Sequence, residues 1–108
     1  MPIYNKLVRD KIPEIIAKQG LNYDTRILND QEYEKELKNK LTEEVNEYLE
    51  SEDNNSSLEE LADVLEIIHS LSQIHGGSID KVEDIRKQKA IERGGFKDKV
   101  YLIEVKDS

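Results

Sequence analysis

Apolar residues recur at helical spacing in four stretches of this chain. In "RDKIPEIIAKQG", Ile12, Ile15 and Ile16 share one side, Pro13 falls in a first turn, Asp10 is in place to cap and Gly20 to stop, which predicts a short helix. Asn29 or Asp30 then caps a long helix running to about Glu50, with an apolar stripe of Tyr33, Leu37, Leu41, Val45 and Tyr48. The turn-forming run "SEDNNSS" breaks it. The next helix is predicted to open at Ser56 or Ser57, with Ser57 and Glu60 as a capping box, and to run to Ile74 before "HGG". Ser78 opens a last helix, closed by Gly94 and Gly95, with Lys and Arg in its final turns. Asn22 to Leu28 and Lys99 to Val105 alternate like short strands and can pair as a small ribbon. With no internal repeat and no long linker, the prediction is one mainly all-α domain spanning residues 1–108.

Two acidic clusters interrupt this regularity. Each helical residue turns the side-chain direction by about 100°. Glu44, seven residues after Leu37, therefore lies between Leu41 and Tyr48 on the apolar side, and Glu47 falls at the stripe's edge. Glu43 and Glu50 are expected toward water. On the following helix Glu60, Ile67 and Ile74 are spaced by sevens, which places Glu60 inside the arc of Val64, Ile67, Leu71 and Ile74, with Asp63 at its border. An uncompensated buried carboxylate costs on the order of several kcal/mol, so something positive is expected among these groups. An antiparallel hairpin would bring Glu44, Glu47, Glu60 and Asp63 together, and such an all-oxygen set suits Mg²⁺ or Mn²⁺ better than zinc. The plain alternative is a set of solvated or salt-bridged helix faces, because pairs at i, i+3 arise by chance among 24 acidic residues. Glu66-Ile67-Ile68-His69 is a single copy of an element that di-iron bundles use in pairs. It projects away from Glu60, so His69 reads as an ordinary, partly exposed histidine and His75 as a helix C-terminal residue.

Composition narrows the function. The net charge of -8 disfavours a basic face for a nucleic-acid polymer, and an anionic substrate would need help from metal ions. The absence of cysteine excludes a disulfide scaffold and thiolate metal sites. The charged, proline-interrupted start is not a signal peptide and no apolar run spans a membrane, so a soluble, cytoplasmic protein is expected. At 108 residues with 36% hydrophobic content the core is modest, and pairing with a second copy would complete it.

"KLTEEVNE" followed after a short spacer by "EELAD" resembles the Glu-x-x-Glu plus Glu-x-x-Asp signature of the MazG-like, all-α nucleoside triphosphate pyrophosphohydrolases. "YNKLVRDKIPEII" and "KAIERGGF" extend the resemblance over most of the chain, to the phosphoribosyl-ATP pyrophosphohydrolase-like subgroup. The resemblance implies a helical hairpin in a four-helix core completed by dimerisation. It also implies Mg²⁺-dependent cleavage between the α and β phosphates of a nucleoside triphosphate, non-standard ones included, or of a phosphoribosyl-ATP-like substrate. Carried over, Glu44, Glu47, Glu60 and Asp63 would hold Mg²⁺, with Glu44 or Glu47 as general base. Lys40, one turn before Glu44, could reach a phosphate or form a salt bridge within its helix. Lys6, Arg9, Lys11, Lys89 and Arg93 are further candidates for triphosphate contacts. The competing reading is a non-catalytic acidic helical dimer that binds a basic protein partner.

Overall fold

The computed structural model describes residues 3–107, which form four helices: α1 (Ile12–Lys18), α2 (Asp30–Glu50), α3 (Asn54–Ile74) and α4 (Ile79–Arg93). Among the described residues there is no strand, and both segments expected to alternate as strands are irregular. The fold is all-α. No helix is long and apolar enough to cross a membrane among the described residues.

The caps fix where α2 and α3 begin. Asn29 Oδ1 accepts the Glu32 N–H at 2.9 Å while Glu32 Oε1 accepts the Asn29 N–H at 3.2 Å, a capping box at α2. Arg26 forks onto the same Glu32 carboxylate at 2.8 and 3.1 Å, holding its pKa down to about 2 and tying the preceding segment to the helix start. The start of α3 differs from expectation. Asp53, not Ser56 or Ser57, is the cap: its Oδ1 accepts the Ser56 N–H at 2.8 Å and its Oδ2 the Ser56 hydroxyl at 3.0 Å. A carboxylate out-competes the serine hydroxyls because it accepts both donors, and Ser57 instead shares a 2.7 Å hydrogen bond with Ser51 across the turn. Asp53→Ala should accordingly lower the midpoint of a denaturant titration, whereas an equal loss from Ser57→Ala would contradict this assignment. At α1, Lys11 occupies the cap position without a side-chain hydrogen bond, so Asp10 does not cap. α4 starts at Ser78 and ends at Gly94, whose φ of +83° suits a glycine.

The three-residue turn at Ser51 to Asp53 folds α2 and α3 into an antiparallel hairpin, and α4 packs back on α3. Hydrophobic burial is sparse: Leu37 and Ile67 are the buried apolar residues among those described, and the rest of each predicted stripe is half-buried or exposed. The chain is also long and thin. Its radius of gyration is 18.8 Å and its extents are 68 × 35 × 23 Å, against a radius of about 13 Å for a compact domain of this length.

Candidate metal centre

The hairpin register explains why carboxylates sit beside the core. Leu37 and Glu44 are seven residues apart on α2, and Glu60 and Ile67 seven apart on α3. Antiparallel helices that place Leu37 level with Ile67 therefore place Glu44 level with Glu60, about 10 Å along the same seam. Apolar packing at one level dictates acidic crowding at the other.

Glu44 is buried, and Glu60 and Asp63 are half-buried. One carboxylate oxygen from each of these three lies within 4.8 Å of the others, and Glu43, Glu44 and Glu47 form a second such group that shares Glu44. Glu44 Oε2 and Glu60 Oε2 are buried without a hydrogen-bond partner. Buried carboxylate oxygens are ordinarily satisfied, so these two are the exceptions in the hairpin and are free to accept a cation or a donor. Burial, reinforced by the neighbouring Glu47 and Asp63, pushes the Glu44 carboxyl up to about 7, with Lys40 opposing. Glu60 is raised as well, first by burial and then by Glu47.

Cations gather around this cluster. Arg9 donates to Asp63 Oδ1 at 2.7 Å, Lys6 lies 3.7 Å from Glu43, and Lys40 lies 3.9 Å from Glu44 Oε1. The N-terminal segment thus crosses the hairpin at its acidic level. Lys40 realises the salt bridge within its helix, at a long distance. Lys89 and Arg93 lie exposed on α4 and make no ion pair among the described residues. Of the six sequence-predicted cations, three stand at the carboxylates, and Lys11, exposed at the start of α1, Lys89 and Arg93 do not.

Glu43 is the residue that helix geometry alone missed. It is half-buried and belongs to the cluster, although its wheel position points toward water, because Lys6 from outside the helix covers that side. Its i, i+4 spacing to Glu47 was the available signal. Glu50 is exposed, as expected. His75 stands at the α3 C-terminal cap and His69 is half-buried, so neither joins the site. A shallow cleft between Asp30, Tyr33, Glu34, Ser70 and Gln73 lies at the other end of the hairpin from the carboxylates.

The donor set fits a hard divalent cation: all ligands are oxygens, the charge is high, and two oxygens lack partners. No protein-family model, curated protein or solved structure matches the chain.

Proposed function

We propose that the protein is a Mg²⁺-dependent nucleotide pyrophosphohydrolase, with Mn²⁺ as a substitute ion. It would cleave the α–β bond of a nucleoside triphosphate or a phosphoribosyl-ATP-like compound to a monophosphate and pyrophosphate. The observation that carries this reading is the pair of orphaned, buried oxygens on Glu44 and Glu60, which face Asp63 in one cluster. Structural carboxylates at this depth would have their lone pairs occupied.

Glu44, Glu60 and Asp63 would hold the ion, with Glu43 beside them. A divalent ion there supplies charge neutralisation at phosphate oxygens and a lowered pKa for a water. Glu47 is exposed at the rim and in no ion pair among the described residues, so it is the carboxylate left to accept that water's proton. Arg9, whose guanidinium now donates one hydrogen bond to Asp63, and Lys6 and Lys40 are the groups that would turn to phosphate oxygens. This assigns no role within a single chain to Lys89 and Arg93. A homodimer is the expected working form, since the single chain covers so little of its apolar surface.

One observation favours a second reading. Arg9, Lys6 and Lys40 already neutralise three of the carboxylates, as they would in a non-catalytic acidic module that binds a basic partner. A pyrophosphate-release assay over standard and modified nucleotides, phosphoribosyl-ATP included, separates the two. Release that requires Mg²⁺ or Mn²⁺ is the expected result. No release from any nucleotide, together with a melting temperature indifferent to both ions, would favour the interaction module.

A further inference from the structure

The segment that follows α4 carries six large apolar side chains, all of them exposed. Phe96 is 98% exposed, Tyr101 89% and Ile103 88%, and Val100, Leu102 and Val105 are exposed to a similar degree. Beyond the hydrogen bond from the Lys99 N–H to the Phe96 carbonyl, no backbone hydrogen bond links residues 99–105 to the rest of the described chain. Val100 and Leu102 alternate with Tyr101, Ile103 and Val105, so both sides of an extended chain would be apolar. That pattern belongs to a strand covered on both faces. An exposed segment of this composition is also a hazard that soluble proteins ordinarily cover.

The deficit of cover is large. The chain exposes 10126 Å² for 12.5 kDa, whereas a compact monomer of that mass exposes roughly 6000 Å². The difference, roughly 4000 Å² per chain, exceeds the roughly 1000–2500 Å² per partner that obligate interfaces commonly bury, so the chain has more than enough surface for a stable pair. The chain also carries an uncovered receiving surface. Leu58, Leu61 and Leu65 share one side of α3 by spacing, Val45 and Leu49 share one side of α2, and all five are exposed.

The geometry points to exchange of the C-terminal segment between two copies of this chain, residues 96–105 of each lying on the α2–α3 hairpin of the other. Donor segment and receiving surface occur once each per chain, so a two-fold pair satisfies both and closes. Gly94, with its left-handed φ of +83°, directs the segment away from α4 at the end of its own helix. The backbone of residues 99–105, unpaired in one chain, would gain cover against the partner's hairpin. None of this depends on the acidic cluster binding metal.

The test is the solution mass of the full chain at micromolar concentration beside that of the double variant Leu102→Asp/Ile103→Asp, with helicity followed by circular dichroism. The wild type should have twice the mass of one chain, and the helical variant the mass of one. Hydrogen exchange on the wild type serves even if the variant fails to fold. Amides 100–105 should be protected in the two-chain form and lose that protection on dilution to single chains. A single-chain mass for the wild type, a two-chain mass for the folded variant, or freely exchanging amides 100–105 within a two-chain assembly would each overturn the exchange.

Discussion

Glu44→Gln and Glu60→Gln are each expected to abolish Mg²⁺ binding and to lower pyrophosphate release by about a hundredfold or more, roughly 3 kcal/mol of barrier. The metal-free fold should be as stable as the wild type or more so. The two effects oppose each other because the carboxylates crowd one another. Removing a charge from Glu44 relieves its contact with Glu47 and Asp63 and lets a neutral amide occupy a half-apolar site. A structural ion pair would behave in the other way: if Lys40 were buried with Glu44 as its sole partner, the loss would cost roughly 3–5 kcal/mol. The structure argues against that outcome, since Lys40 keeps 21% of its side chain exposed and stands 3.9 Å away. Glu50→Gln is the control, being exposed and outside the cluster. Glu43→Gln is not one, because Glu43 shares the cluster. Isothermal titration with Mg²⁺, the release assay and thermal melts on the same preparations check all of this. Wild-type activity in the Glu44 and Glu60 variants, or equal losses from Glu50→Gln, would remove the metal site.

Local chemistry made the helices legible. Asn29, Ser78 and the glycines after Ile74 and Arg93 act over one turn of chain, and each sets the boundary that its residue type favours. The α3 start was misplaced by three residues because Asp53 and the serines after it are all competent caps, and only the turn geometry decides among them. Glu44 was readable as buried because its direction follows from Leu37 on the same helix. The cover over Glu43 was not, because Lys6 arrives from a segment whose path no periodicity encodes. Arg9 illustrates the same limit: its position at Asp63 is a contact across 54 residues of sequence. The ribbon expected from residues 22–28 and 99–105 forms no ladder in one chain, since strand pairing needs a partner that alternation alone does not supply.

The same crowding should make the metal-free protein less stable as pH rises, the reverse of ordinary acid denaturation. Glu44 titrates at about 7 when folded, against an ordinary value of 4.5, and Glu60 is shifted in the same direction. Between those two values the folded chain binds more protons than the unfolded one, so stability must fall with pH. The contribution is present in full below pH 4.5 and is lost by about pH 7. The full shift corresponds to roughly 3 kcal/mol at 1.4 kcal/mol per unit. Solvent around the exposed Glu47 screens part of it, leaving a drop of about 1–2 kcal/mol, or roughly 5–10 °C in melting temperature. The carboxylates whose pKa is lowered act elsewhere: Glu32, Asp53 and Glu83 lose their stabilisation as pH falls below 4.5, outside this window. A divalent ion held there would bind the deprotonated carboxylates, so its stabilisation should be smallest at pH 5 and largest at pH 8, flattening or inverting the metal-free trend. Melting curves from pH 5 to 8, with and without Mg²⁺, read both slopes, and Glu44→Gln should remove most of each. A metal-free melting temperature that climbs through this range, or an Mg²⁺ increment that is the same at pH 5 and pH 8, would mean that Glu44 and Glu60 are not the groups that hold the ion.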